Sequence, residues 1–101
     1  MNDAGLVDIV TGMRKLKHLN ISKCKGIYGQ KGFAALKVAT DLESIIAYDT
    51  SVNDFALTHL KGHKKLKTVN LSLNTGCTLS GVQGLKKALP KCEIFYAGQK
   101  Y

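Results

Sequence analysis

The chain contains a single proline, no tryptophan and no long apolar segment. Because proline-rich and serine-rich linkers are absent, no domain boundary is indicated, and we expect one domain that covers residues 1–101. No apolar run approaches the roughly 18 residues that span a bilayer, so a membrane-spanning helix is not expected. The first residues lack a cationic and apolar leader, and the sequence therefore predicts an intracellular protein.

Acidic residues and cysteines are also few. Seven Asp and Glu residues stand against fifteen Lys and Arg residues, and the net charge is +8. Such a surplus favours anionic partners, although it also keeps a small protein in solution. The three cysteines are an odd and sparse set, unlike the disulfide framework of a small secreted protein, so reduced thiols are expected.

One apolar motif, Leu followed by apolar residues at the third and fifth positions after it, occurs four times along the chain. It begins at Leu16, Leu42, Leu66 and Leu89. These starts are 26, 24 and 23 residues apart, and a second motif with two apolar residues three apart alternates with the first. Two apolar motifs that alternate with a period near 25 residues are typical of repeat arrays, in which each unit covers the apolar flank of its neighbour.

The two motifs predict different secondary structure. Alternation of apolar and polar residues in the first motif predicts strands near 17–22, 43–48, 67–72 and 91–96. The three-residue spacing of the second motif predicts short helices near 3–11, 30–38, 53–61 and 80–88, with Asp3 and Asp54 as capping residues. Strands and helices that recur in one sense predict a curved two-layer α/β solenoid with a parallel sheet and all helices on one side.

The segment from Asn53 to Ser72 resembles a leucine-rich repeat with a short helix, similar to those of bacterial repeat proteins and those that follow F-boxes. Residues 85–94 resemble a terminal repeat of the same family. The resemblance implies a leucine-rich-repeat solenoid of about four strand-helix repeats, with strands on the concave side and helices on the convex side. It is unspecific for function, because such families bind diverse partners. His63 departs from the family pattern, which usually has an apolar residue there.

The repeat positions also assign roles to the cysteines. Cys92 falls on an apolar position of the fourth motif and is expected to be buried, whereas Cys77 falls in an irregular loop and is expected to be accessible. Cys24, Thr50 and Asn74 each stand eight residues after the start of a motif. Their side chains are expected to bond to backbone groups where the chain leaves a strand.

The outward residues of the predicted strands form the first candidate binding surface. Most are small and polar, but Ile46, Tyr48 and Phe95 are large and apolar or aromatic, as interface anchors are. The predicted partner-binding residues are His18, Asn20, Ile46, Tyr48, Asn70 and Phe95. This pattern predicts a noncatalytic protein-interaction module that binds through its concave strand face.

Basic residues at the predicted helix ends form the alternative surface. Stacking of the repeats would align them along one lateral edge, which predicts docking on an anionic partner such as an RNA-rich or acidic assembly. Cations in these positions also stabilise helix C-termini, so both roles stay open. This predicted basic ridge comprises Arg14, Lys15, Lys61, Lys64, Lys65, Lys86 and Lys87, and Lys37 recurs at a similar position.

Catalytic, cofactor and metal sites are not indicated. No nucleophile, base and orienting acid fall at a recognisable spacing, so no enzyme activity is expected. His59 and His63 are four residues apart, but Gly62 is expected to end the helix between them and no neighbouring Cys or carboxylate completes a metal site. The glycine-rich segment 26–32 lacks the ending of a phosphate-binding P-loop, and its glycines are expected to serve a turn.

The last predicted strand, 91–96, is expected to have a free edge. Residues 97–101 are too short and too polar to suggest a covering element, and an uncovered edge can pair with another chain. The sequence therefore predicts contact with a second chain there, with a homodimer as the simplest closed arrangement.

Overall fold

A computed structural model describes residues 1–101 and shows an α/β protein with four short helices and five strands. The helices are α1 (Asp3–Thr11), α2 (Gln30–Ala35), α3 (Asp54–Leu57) and α4 (Leu79–Ala88). Short 3-10 turns, Leu36–Val38 and Thr58–Leu60, continue α2 and α3. The strands are β1 (His18–Asn20), β2 (Ser44–Ile46), β3 (Thr68–Asn70), β4 (Glu93–Tyr96) and β5 (Gln99–Lys100).

The predicted elements agree closely with these bounds. The first four strands fall inside their predicted ranges, and the helices match within one residue once the 3-10 turns are included. The longest helix, α4, has 10 residues. No helix combines the length and the apolar character that crossing a membrane requires.

The five strands form one mostly parallel sheet. Its strand order is β1-β2-β3-β4-β5, so neighbours in the sheet are neighbours in the chain. The first four strands run parallel, and β5 is antiparallel to β4. The strands β1 to β4 are short, but hydrogen bonds between adjacent chain segments continue beyond them, as from Lys23 N to Tyr48 O and from Asp49 N to Ser72 O.

The helices cover only one face of this sheet. Consecutive helices pack side by side, and the central residue of β1, β2 and β3 is buried while its two neighbours are exposed or half-buried. The buried residues join those of the helices in a single apolar core of 24 residues. Because successive side chains of a strand point to opposite faces, the other face of the sheet is uncovered.

Asparagines rather than aspartates cap α1 and α3. The side chain of Asn2 accepts a hydrogen bond from Gly5 N at 2.8 Å, and Asn53 accepts one from Ala56 N at 3.1 Å. The prediction that Asp3 and Asp54 cap these helices is therefore wrong by one residue. An extended Asn satisfies a free N–H of the first helical turn, and the following Asp is released for contacts described below.

The fourth strand is shifted by two residues from its predicted alignment. The fourth motif places Cys92 beside Val69, whereas the structure pairs Val69 with Ile94. The extra residues lie before β4, where the longer helix α4 is followed by Leu89 and Pro90. A shift by two residues keeps every side chain on its predicted face, so the burial pattern was predicted correctly although the register was not.

The C-terminal segment covers the edge of β4, contrary to our expectation of a free edge. Phe95 pairs with Lys100 and Tyr96 pairs with Gln99, and Ile94 exchanges two backbone hydrogen bonds with Tyr101. The reversal is tight because Ala97 and Gly98 both adopt positive φ, 53° and 78°. The dimer predicted at this edge therefore loses its structural basis.

Candidate interaction surfaces

The uncovered side of the sheet, which we call the strand face, presents three rows of side chains. The first row is His18, Ser44, Thr68 and Glu93, and the second is Asn20, Ile46, Asn70 and Phe95. Tyr48 lies in a third row, between Ser22 and Ser72. This placement follows from the backbone hydrogen bonds of Lys23 N to Tyr48 O and of Asp49 N to Ser72 O, which continue the strand ladder. All six residues of the predicted partner-binding set thus share one surface.

The apolar members of the strand face are partly shielded by their polar neighbours. Ile46, Tyr48 and Phe95 are half-buried, whereas His18 and Asn20 are exposed. Asn70 separates Ile46 from Phe95, so the two apolar side chains stand about 10 Å apart, or two strand spacings. The strand face therefore offers separate apolar anchor points within a polar surface.

Polar side chains on this face are fixed by short local hydrogen bonds. Asn20 Oδ1 accepts from Ser22 N at 3.1 Å, and Asn70 Oδ1 accepts from Ser72 N at 3.0 Å. These bonds use only the oxygen of each amide, so the Nδ2 groups keep their two donors for a ligand. His18 Nδ1 lies 2.9 Å from Ser44 Oγ in the first row.

A buried polar cluster fixes the backbone where the strand face ends. Asn74 Nδ2 donates to Ala47 O at 2.7 Å and to Leu71 O at 2.9 Å, and Asn74 Oδ1 accepts from Thr50 N at 2.8 Å and from Thr50 Oγ1 at 2.6 Å. Cys24, the third residue predicted for this role, bonds more weakly, with its Sγ 3.6 Å from Ser22 O. The predicted contacts of these side chains with backbone groups are confirmed. The cluster joins the chain segments that follow β2 and β3.

The predicted basic ridge is exposed along most of its length, with two residues engaged within the protein. Lys65 Nζ forms an ion pair with Asp41 Oδ1 at 2.6 Å. This contact lowers the pKa of Asp41 and raises that of Lys65. Lys86 is half-buried and donates to Cys92 O at 2.7 Å and to Tyr101 O at 3.2 Å, so its ammonium group secures the C-terminal segment. The exposed residues of the set are Arg14, Lys15, Lys61, Lys64, Lys65 and Lys87.

A basic pocket, which the sequence did not predict, lies at the helix ends beside β3. It has a volume of about 350 Å³ and no apolar residue in its wall. Its wall is formed by Lys37, Thr40, His59, Gly62, His63, Lys64 and Lys65. The sequence signal was His63, a polar residue at a position where the repeat pattern favours an apolar one.

The two histidines of the basic pocket differ in their surroundings. His63 is 95% buried, and its ring donates to the carbonyl of Ala39; burial lowers the pKa of His63 more than this hydrogen bond raises it. His59 contacts Phe55 edge to face, with ring centroids 6.2 Å apart. The Nε2 atom of His59 is buried and has no hydrogen-bond partner. The structure shows no cluster of three or more His, Cys, Asp or Glu residues that could hold a metal ion.

The glycine-rich segment 26–32 binds an anion supplied by the chain itself. The carboxylate of Asp3 accepts hydrogen bonds from Tyr28 N at 2.9 Å, Gly29 N at 3.0 Å and Gly32 N at 3.3 Å. Asp54 makes the corresponding contact with Thr78 N at 2.8 Å. A carboxylate is favoured at a helix N-terminus, so these groups join successive helices instead of receiving a phosphate.

Two of the three cysteines are buried. Cys92 is buried as predicted, but Cys77 is only 3% exposed, so the expectation of an accessible thiol is wrong. The Sγ of Cys77 donates a hydrogen bond to the carbonyl of Val52 at 3.4 Å. Burial, with a smaller contribution from the charge of Asp54, raises the pKa of Cys77 to about 12.

Comparison with known proteins identified no relative. Neither the models of known protein families nor the curated proteins give a match to this chain.

Proposed function

We propose that the chain is a leucine-rich-repeat solenoid with four strand-helix units. Strand pairing offsets of 26, 24 and 25 residues support this assignment, because they follow from the pairs His18–Ser44, Ser44–Thr68 and Thr68–Glu93. The residue that follows each strand segment provides further support, since it adopts a left-handed conformation that L-residues usually avoid. These residues are Lys23, Asp49, Leu73 and Ala97.

The solenoid acts as a noncatalytic module that binds a protein through its strand face. The observation that carries this proposal is the uncovered side of the sheet, on which Ile46, Tyr48 and Phe95 remain accessible among polar side chains. A half-buried aromatic side chain on a rigid backbone loses little entropy on binding and suits an anchor role. The free amide donors of Asn20 and Asn70 supply hydrogen bonds around these anchors.

Affinity capture with two matched variants tests this proposal. The chain is immobilised, proteins from the source cells are captured, and bound proteins are quantified by mass spectrometry. The double variant Ile46→Ser, Tyr48→Ala should lose the specific partner, whereas Tyr28→Ala, which removes a tyrosine that is 58% exposed outside the strand face, should retain it. Equal capture by wild type and both variants, with unchanged melting temperatures, would contradict a role for this face.

The second candidate is docking of an anionic macromolecule on the basic ridge. It is favoured by the exposure of six of the seven predicted residues and by the absence of acidic partners for Arg14, Lys15, Lys61, Lys64 and Lys87. Binding of this kind weakens steeply with salt because counterions are released, whereas binding at apolar anchors does not. Capture at low and high ionic strength therefore separates the two candidates.

A further inference from the structure

The basic pocket has the composition of an anion site. Three lysines, two histidines and a threonine hydroxyl surround about 350 Å³, and no carboxylate belongs to the wall. Of the three lysines, Lys65 is already paired, with Asp41. Lys37 forms no ion pair, and the Nζ of Lys64 has only a long contact of 3.5 Å to Lys61 O. Two ammonium groups are therefore available to an incoming ligand.

The histidines indicate that the pocket serves a compact ligand and is more than part of a charged surface. His63 is 95% buried in the pocket wall, and its hydrogen bond to Ala39 O fixes the ring there. The Nε2 of His59, in the same wall, is buried without a hydrogen-bond partner, and reorientation toward a ligand would give it one. Neither feature is needed to dock a chain on exposed lysines.

We propose that this pocket binds a phosphate group, either as inorganic phosphate or as a phosphate monoester, with Lys37, Lys64 and His59 as its principal contacts. A phosphate dianion carries several acceptor oxygens and two charges, which match two ammonium groups and the Nε2 of His59 in the tautomer that carries the ring proton there. The pocket shares Lys64 and Lys65 with the basic ridge, but the strand face takes no part. This proposal therefore goes beyond protein binding at the strand face and does not depend on it.

NMR titration tests the proposal directly. Inorganic phosphate and phenyl phosphate are added separately to the ¹⁵N-labelled chain at constant ionic strength, with chloride as the balancing anion. We expect saturable shifts at Lys37 and at residues 62–65, and at the ring protons of both histidines. Tighter binding of phenyl phosphate would identify a monoester as the ligand type, and tighter binding of inorganic phosphate would identify the free anion.

Two double variants distinguish a site from general charge screening. Lys37→Gln with Lys64→Gln should weaken binding by about tenfold or more, because two charge-assisted hydrogen bonds are lost. Lys15→Gln with Lys87→Gln removes the same charge from exposed positions outside the pocket and should leave binding unchanged. His59→Gln should also weaken binding, and the lysine variants decide the question if that variant does not fold. Shifts that never saturate, or that decrease equally in both double variants, would overturn the proposal.

Discussion

Asn74→Ala should be among the most destabilising single substitutions in this protein, although it removes only an amide group. Asn74 is 3% exposed, and its side chain makes four hydrogen bonds, two to Thr50, one to Ala47 O and one to Leu71 O. After truncation, Ala47 O still accepts from Thr50 Oγ1 at 3.2 Å. The N–H of Thr50 and the carbonyl of Leu71 lose the bonds that Asn74 supplies.

The magnitude follows from these two orphaned backbone groups. An unsatisfied buried polar group costs roughly 1–3 kcal/mol, so the two together should lower the free energy of unfolding by about 4 kcal/mol. For a domain near 100 residues this corresponds to a decrease in Tm of roughly 15–30 °C. Total stabilities are only about 5–15 kcal/mol, and the variant should therefore be close to unfolding at physiological temperature.

Urea denaturation followed by circular dichroism measures the effect. Asn20→Ala is the matched control, because Asn20 is exposed and its side chain accepts only the local bond from Ser22 N. We expect this control to lose less than about 1 kcal/mol. A loss below about 1 kcal/mol for Asn74→Ala, with an unchanged m-value, would show that water or a rearranged Thr50 replaces the amide and would refute the reasoning.

Three further predictions concern the core, a titrating group and the thiols. Leu57→Ala should cost about 2–5 kcal/mol by thermal or urea unfolding, because Leu57 is 1% exposed; an unchanged Tm would contradict its place in the core. Burial lowers the pKa of His63, so the unfolded chain binds a proton at this residue more readily than the folded chain does. The free energy of unfolding should therefore decrease as the pH drops below about 6.5. His63→Leu should reduce this decrease, and an equal decrease between pH 7.5 and 5.5 in the variant and the wild type would exclude His63 as its source. In the native protein a thiol reagent should modify half-buried Cys24 much faster than Cys77 or Cys92, and equal rates for all three would show that the core opens readily.

Periodic features of this fold were accessible from the sequence, because they depend on many apolar residues at once. Each strand and helix buries residues at fixed spacings, so the positions of the elements and the buried side of each strand could be read from the two motifs. The position shared by Cys24, Thr50 and Asn74 recurs with the same period, and its role was assigned from the resemblance to leucine-rich repeats. Agreement among several repeats compensates for the weakness of each single signal.

Features that occur only once in the chain were missed, because they leave no periodic signal in the sequence. The register of β4 depends on how many residues α4 and Pro90 use before the strand, and a shift by two leaves the apolar pattern unchanged. The pairing of residues 99–100 with β4 depends on the positive φ of Ala97 and Gly98, and alanine gives little indication of such a turn. Stacking of the repeats predicts Lys37 beside Lys64 and Lys65, but the concave pocket that they form with Thr40, His59 and His63 has no signal in the spacing.

The strand face and the basic pocket can be tested separately because they share no residue. The residues of the strand face point away from the core, whereas the pocket residues lie at the ends of α2 and α3 and in the turn before β3. Ile46→Ser with Tyr48→Ala alters only the first surface, and Lys37→Gln with Lys64→Gln alters only the second. A phosphate at the pocket that changed partner affinity at the strand face would show that the two surfaces are coupled. Equal partner affinity with and without phosphate would instead establish two independent binding surfaces on one domain.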